Sequence, residues 1–212
     1  MWLPWKEAAM ELGFCRVGPL MTNCYMLHDD KQCIIVDPGD EPNVVLEMVD
    51  GREVAGIIIT HCHLDHIGGL PEVAKATGAP IIAYEGEVAA ILNPEPAEQV
   101  AAMGYRPVAA IDRPVADGEE FELMGIPFKA IHTPGHTPGS TCFYNETHAI
   151  LFAGDTLFWQ THGRTDFPGG NQADMNRSLK KLIELPDDTT VLPGHDRPTT
   201  IGDERPWIER LG

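Results

Sequence analysis

Long apolar runs are missing from this 212-residue sequence. A membrane-spanning helix needs about 20 consecutive apolar residues, and the hydrophobic runs here are far shorter. The N-terminal stretch MWLPWKEAAMELG also lacks the basic end and apolar core of a secretory signal. We therefore expect a cytoplasmic protein without a membrane partner.

Positive charge is scarce. The chain has 15 Lys and Arg residues against 32 Asp and Glu residues, which gives a formal net charge of -17, and it contains no Lys/Arg-rich run. Such a chain repels the phosphate backbone of nucleic acids and the anionic surface of membranes. The composition therefore predicts that nucleic acid is not a partner.

Paired cysteines are also missing. The five cysteines are an odd number without any C-x-x-C spacing, in a chain long enough to bury a core without disulfides. Reduced thiols are expected. Hydrophobic residues make up 43% of the sequence, and no repeat or low-complexity linker divides it. These features predict one globular domain over residues 1–212.

Short β-rich runs separated by Gly and Pro dominate the sequence and predict an α/β fold with more strands than helices. Residues 24–30 and 33–39 flank a turn and predict a hairpin. The strands VAGIIIT and PIIAYEG enclose a helix, GLPEVAKATG, that closes at Gly78. The segment NQADMNRSLKKLIEL predicts a helix capped by Asn171, with its Met and Leu side chains packed in the core.

The segment THCHLDHIGG follows a β-branched run and carries four possible metal ligands within six residues: His61, His63, Asp65 and His66. A hydrogen-bonded surface turn is the alternative interpretation. Cys62 lies between two of these residues in an extended stretch, so alternation directs its thiol away from them.

Three further side chains of the same chemistry follow predicted strands: His136, Asp155 and His195. Residues at strand ends are held by a rigid sheet, and the loops that follow let them converge. Seven nitrogen and carboxylate ligands are too many for one tetrahedral zinc, so the sequence predicts two divalent ions with Asp155 between them. Zinc is expected first, and iron or manganese also suits such ligands.

The motifs MTNCYML, CIIVDPG, THCHLDHIGG, HTPGHTPGS, FAGDTLF, GRTDFPGGN and VLPGHDRPTTIGDERP occur in an order that resembles the metallo-β-lactamase superfamily over nearly the whole chain. The resemblance implies a four-layer αββα sandwich with a dinuclear site at one edge between the sheets. It implies a first metal on His61, His63 and His136, a second on Asp65, His66 and His195, and a bridging Asp155. Asp37, in VDPG, matches a residue that orients the ligands; its alternative role is to stabilise the turn before Pro38.

Within the superfamily, the chain resembles the glyoxalase II (hydroxyacylglutathione hydrolase) branch in all seven ligands and in GRTDFPGG. Class B β-lactamases do not use the bridging carboxylate that Asp155 supplies, and the flavodiiron branch has an acid where His63 stands. The resemblance implies hydrolysis of a small-molecule thioester, S-lactoylglutathione or a similar acyl thioester, by a metal-activated hydroxide that Asp65 orients. Few residues follow His195, so the likeness is to the short, single-domain members, and a modest preference between thiol carriers is expected.

A mononuclear iron persulfide dioxygenase is the alternative, because that family also carries a GRTDF-like loop. There, His61, His136 and Asp155 alone would hold iron in a facial triad. A metal-binding module without catalysis is a third interpretation. In the GRTDF loop, Arg164 and Asp166 are expected to pair and fix its shape.

His28 and His148 lie in or beside hairpin turns and are expected to face solvent. The sequence indicates neither the substrate-binding residues nor the oligomeric state.

Overall fold

The computed structural model describes residues 10–95, 102 and 104–211. The strands are β1 (Glu11–Val17), β2 (Thr22–His28), β3 (Gln32–Val36), β4 (Glu53–Ile59), β5 (Ile81–Tyr84), β6 (Arg113–Val115), β7 (Glu120–Leu123), β8 (Ile126–His132), β9 (Thr141–Asn145), β10 (Ile150–Gly154), β11 (Leu157–Phe158), β12 (Thr161–His162), β13 (Thr190–Pro193) and β14 (Thr199–Thr200). The helices are α1 (Pro42–Val49), α2 (Leu64–Ile67), α3 (Leu70–Thr77), α4 (Val88–Leu92), α5 (Gln172–Leu182) and α6 (Ile201–Ile208).

Two six-stranded sheets form the body of the molecule, in the orders β1-β2-β3-β4-β5-β6 and β14-β13-β10-β9-β8-β7. Strands β3 to β6 are parallel neighbours in the first sheet, whereas β10 and β13 form the parallel pair of the second. Parallel strands are usually covered on both faces, which explains why the sequence of β4 is so apolar. Ile57 and Ile59 face the helices, while Ile58 faces the opposite sheet.

Three hydrophobic clusters define four layers. Between the sheets, Ile58 packs in one cluster with Phe128 and Phe152. A second cluster joins the outer face of the first sheet to α1 and α3, and a third joins the outer face of the second sheet to α5 and α6. The predicted αββα sandwich is confirmed.

The local predictions also hold. Residues 24–30 and 33–39 contain the antiparallel pair β2–β3, and β4 and β5 are parallel strands joined through α3. Gly78 ends α3 in the left-handed conformation, at φ 65°. The side chain of Asn171 accepts a hydrogen bond from the Asp174 amide at 3.0 Å and caps α5.

One placement was wrong. His28 is 3% exposed, because it ends β2 between Glu11 of β1 and Cys33 of β3, whereas His148 is partly exposed as expected. All five cysteines are free thiols. Among the described residues, no helix combines the length and apolarity that crossing a bilayer requires. Most of MWLPWKEAAMELG lies outside those residues.

Candidate metal centre

Strand ends at one edge of the two sheets carry the predicted ligands. β4 leads into His61 and His63, and the short helix α2 that follows contains Asp65 and His66. The remaining predicted residues follow four other strands: Asp37 after β3, His136 after β8, Asp155 after β10 and His195 after β13. The structure therefore brings all seven predicted ligands, and Asp37, to one place.

Three groups of side chains have ligand atoms within 4.8 Å of one another, and one of them joins Asp37 to His61 and His66. We call His61, His63 and His136 the first cluster, and Asp65, His66 and His195 the second cluster.

Asp155 lies between the two clusters. Its Oδ2 is 3.4 Å from His136 Nε2 in the first cluster and 3.6 Å from His195 Nε2 in the second. Its Oδ1 is 3.4 Å from His66 Nε2. One carboxylate thus reaches both clusters, which is the arrangement expected of a bridging ligand.

The outer nitrogens of the imidazoles are held by the protein. His136 Nδ1 donates to the carbonyl of Arg164 at 2.8 Å, and His195 Nδ1 donates to that of Leu20 at 3.2 Å. Because a carbonyl only accepts, the proton of each neutral ring sits on Nδ1 and the Nε2 lone pair points inward. Hydrogen bonds of this kind orient histidine ligands in metal sites.

The inward atoms have no partner. His61 Nε2, His66 Nε2, His136 Nε2 and Asp155 Oδ1 are buried and make no hydrogen bond. Leaving four buried polar atoms unpaired costs about 1–3 kcal/mol each, unless a ligand takes them up. Imidazole nitrogens and a carboxylate that converge in this way suit divalent zinc, iron or manganese. The donor set therefore fits a metal centre.

Asp37 orients His66 directly and His61 through Thr60. Its Oδ2 accepts from His66 Nδ1 at 2.9 Å and from Thr60 Oγ1 at 2.6 Å, and its Oδ1 accepts from the Thr60 amide at 2.8 Å. The Thr60 hydroxyl in turn accepts from His61 Nδ1 at 3.0 Å. Asp37 adopts a φ of 52°, a strained conformation of the kind that persists where the surroundings enforce it. Its contacts match the ligand-orienting role.

The first cluster is electrostatically ready for a cation. Burial lowers the pKa of His61 well below its ordinary value, and the neighbouring imidazoles of His66 and His63 lower it further. Burial, aided by His136, lowers the pKa of His63 to about 4. Both rings are neutral at pH 7, which leaves their lone pairs free.

The carboxylates of the second cluster favour protonation of its imidazoles instead. Burial opposes protonation of His66, but the carboxylates of Asp155 and Asp37 outweigh it and raise the pKa of His66 well above its ordinary value. Burial also opposes protonation of His195, yet its hydrogen bond to Asp65 and the charge of Asp155 raise its pKa. A cation that enters this cluster therefore competes with protons for these nitrogens.

Gly194 sits where no side chain fits. A Cβ at this position would lie 2.3 Å from Asp155 Oδ1 and 2.5 Å from His66 Cε1. The glycine before His195 therefore lets the backbone approach the ligands closely.

Glu87 is a residue that sequence reasoning missed. It is 2% exposed, and its Oε1 accepts from the Cys62 amide at 3.0 Å and from Thr137 Oγ1 at 2.7 Å. It thereby ties the loop of His63 to the loop of His136. Its position at the end of the PIIAYEGE segment was the available signal, but no spacing rule connects it to residues 25 and 50 positions away.

Two threonines were missed as well. Thr22 Oγ1 donates to Asp65 Oδ2 at 3.1 Å and fixes the orientation of that carboxylate. Thr60 links Asp37 to His61, as described above. By contrast, the thiol of Cys62 packs against the apolar cluster beside α1 and α3, as its alternation predicted.

Aromatic side chains border the first cluster. The Phe167 ring lies 5.6 Å from that of His63 and 6.4 Å from that of His136, and the Arg164 guanidinium stacks 3.9 Å from the Phe167 ring centre. Arg164 also binds both carboxylate oxygens of Asp166 at 2.7 Å. The predicted pairing of Arg164 with Asp166 is confirmed, and it holds the guanidinium that stacks on Phe167 beside the first cluster.

A cavity of about 390 Å³ opens beside Asp65. Its apolar lining includes Val17, Pro19, Leu20, Pro42 and Leu64. Small-molecule sites are commonly of this size and character. The cavity places room for an apolar group next to the second cluster.

Comparisons with known proteins agree with this geometry. Hydroxyacylglutathione hydrolase GloC of Haemophilus influenzae is 32% identical over 203 residues, which covers 92% of this chain and 95% of that protein. Among solved structures, the BLEG-1 B3 metallo-β-lactamase is 31% identical with a TM-score of 0.85, covering 92% of this chain and 96% of its own.

Two other structures are similar. TTHA1623 in a di-iron-bound form is 33% identical with a TM-score of 0.80, covering 91% of this chain and 96% of its own. ETHE1 from Myxococcus xanthus is 26% identical with a TM-score of 0.75, covering 92% and 81%. Residues 17–195 match the metallo-β-lactamase superfamily. The chain belongs to the metallo-β-lactamase superfamily and has the His/Asp centre of a metal-dependent enzyme.

Proposed function

We propose that this protein is a dinuclear metal-dependent hydrolase of small acyl thioesters, S-lactoylglutathione among them. The observation that carries the proposal is the position of Asp155, with one oxygen near His136 and His195 and the other near His66. A carboxylate shared by two clusters can bind two ions at once, whereas a mononuclear site would need the ligands of only one cluster. The similarity to GloC supports a thioester as substrate.

The seven residues predicted from the sequence would hold the metals, with zinc as the expected ion. Two divalent ions bound there would lower the pKa of a shared water and polarise the thioester carbonyl. Asp65 is the proposed catalytic residue, because it belongs to the second cluster and its carboxylate is fixed by Thr22 and by His195 Nε2 at 3.1 Å. A thiolate is a good leaving group, so the site needs no dedicated general acid.

The cavity beside Asp65 would receive the acyl group of the substrate. We further propose a single domain over residues 1–212, a cytoplasmic location, and no nucleic-acid or membrane partner, as the acidic composition predicts.

The test is the metal content and oxygen requirement of His66→Ala. For the hydrolase, the wild-type protein should contain two metals per chain and cleave S-lactoylglutathione equally with and without oxygen. His66→Ala should lose the metal of the second cluster and at least 100-fold in kcat/KM, because the ring spans Asp37 and Asp155. His148→Ala, in the β9–β10 hairpin, is the matched control and should keep both metals and full activity.

An iron content of one per chain that His66→Ala leaves unchanged, together with oxygen consumption on a glutathione persulfide, would replace the hydrolase by the dioxygenase. The likeness to BLEG-1 makes a β-lactam the second comparison substrate. Faster turnover of nitrocefin than of the thioester would overturn the proposed substrate class.

A further inference from the structure

Arg197 follows the second-cluster residue His195 by two positions and is stacked on an aromatic ring. Its guanidinium stacks on the indole ring of Trp159, 3.7 Å from the ring centre. Both side chains are exposed, and Trp159 keeps 38% of its surface accessible. Stacking of this kind fixes the plane of the guanidinium while its N–H edges stay free to bind an oxygen ligand.

Among the described residues, Arg197 is one of four arginines without an ion pair to a carboxylate, and it is the one of these four that stacks on an aromatic ring. Five described arginines form ion pairs with carboxylates: Arg52, Arg113, Arg164, Arg177 and Arg205. Within residues 10–95, 102 and 104–211, no carboxylate pairs with Arg197, although acidic residues outnumber basic ones by 32 to 15. A positioned but unpaired guanidinium in so acidic a chain is free for an external anion.

The stack stands beside the second cluster. Arg197 follows His195 by two residues, and Trp159 follows Phe158, whose ring centre is 6.2 Å from that of His195. The loop itself is anchored, because the carbonyl of Asp196 accepts from Arg16 Nη2 at 3.3 Å and from Asn23 Nδ2 at 3.0 Å. The guanidinium is therefore carried by an ordered segment next to the ligands.

We propose that Arg197 is a specificity-determining residue that binds a carboxylate of the substrate's thiol carrier, and that Trp159 is its positioning residue. The inference rests on the proposed thioesterase function. The chemical class it selects is an acyl thioester of a carboxylate-bearing thiol, such as a peptide thiol, over the same acyl group on a neutral thiol.

A contact between Arg197 and a substrate carboxylate would reduce the electrostatic repulsion between this acidic chain and an anionic substrate. A chain with a net charge of -17 repels an anionic substrate. The positive charge of Arg197, two residues after His195, would offset that repulsion where the substrate binds. The planar fork of the guanidinium matches a carboxylate in two-point geometry. Because the site is open to water, the expected effect is about tenfold, within the modest carrier preference expected from the sequence.

The experiment compares lactoyl thioesters of glutathione and of N-acetylcysteamine. Arg197→Gln should lose about tenfold in kcat/KM on the glutathione ester, chiefly through KM, and less than about twofold on the neutral ester. Trp159→Leu should reproduce a smaller part of the same loss. Arg210→Gln is the matched control, since Arg210 is exposed and bonds only the Pro206 carbonyl among the described residues. It should leave both substrates unchanged.

A binding measurement separates this inference from the proposed function. Calorimetry with S-methylglutathione and with its dimethyl ester should show a preference for the free acid that Arg197→Gln removes and Arg197→Lys keeps in part, with metal content and melting temperature unchanged. If no thioester is hydrolysed but the preference for the free acid appears, the thioesterase proposal fails while the role of Arg197 in binding a carboxylate is upheld. Equal losses on both carriers, or no preference for the free acid, overturn the role of Arg197.

Discussion

Asp37→Asn is expected to weaken metal binding in the second cluster while the fold persists. The carboxylate accepts three hydrogen bonds of 2.6–2.9 Å, two from Thr60 and one from His66 Nδ1. An amide keeps an oxygen toward the Thr60 amide but turns an N–H₂ donor toward the ring. His66 then loses the acceptor that holds its proton on Nδ1, and the proton moves to the Nε2 that must face the metal.

The magnitude follows from these contacts. Loss of a hydrogen-bonding partner of a metal-bound histidine lowers metal affinity by about 10- to 100-fold, or roughly 1.4–2.7 kcal/mol. The unpaired donor should also destabilise the metal-free protein by about 1–3 kcal/mol. Backbone strain adds little, because asparagine tolerates the φ of 52° as well as aspartate does.

Chelator competition measures the affinity of each of the two equivalents, and urea denaturation of the metal-free protein measures stability. Asp50→Asn is the matched control: Asp50 also has a positive φ, 51°, but it ends α1 at the surface. It should change neither quantity. Unchanged affinity for both equivalents in Asp37→Asn would refute the orienting role of Asp37.

Three other outcomes are expected. Asp155→Ala should lose both metals by elemental analysis, because its carboxylate lies between the clusters; tight retention of one ion would argue against bridging. Gly194→Ala should abolish activity and metal binding together, since the new Cβ would collide with Asp155 and His66, and an active, metal-replete variant would contradict that geometry. Metal affinity of the second cluster should fall as pH drops through the raised pKa values of His66 and His195, with proton release on binding, whereas the affinity of the first cluster should depend less on pH because the pKa values of His61 and His63 are lowered. Equal pH dependence of both clusters would count against this assignment.

The parts of the fold that were predicted are those with local signals. Alternating apolar residues and a turn indicate the β2–β3 hairpin, and a cap residue indicates the helix that begins after Asn171; each signal lies within a few positions of the chain. The convergence of these side chains was also predictable, because their segments follow apolar strands and the superfamily motifs indicate which of them meet.

Contacts between distant segments could not be predicted. His28 was misplaced because β1, whose weakly apolar sequence gave no strand signal, covers it through the pairing of Glu11 with His28. Glu87 and Arg197 depend on partners 25 to 50 positions away, such as Cys62, Thr137 and Trp159. Sequence patterns report the conformation of a segment but not the neighbours that packing brings to it.

The outer nitrogens of His61, His66, His136 and His195 are fastened by groups of the protein itself. Four of the five imidazoles are therefore oriented by the protein and not only by an ion that they would hold. Since nitrogen and oxygen donors accept several divalent ions, this preset geometry would constrain the positions of the ligands more tightly than the identity of the ion.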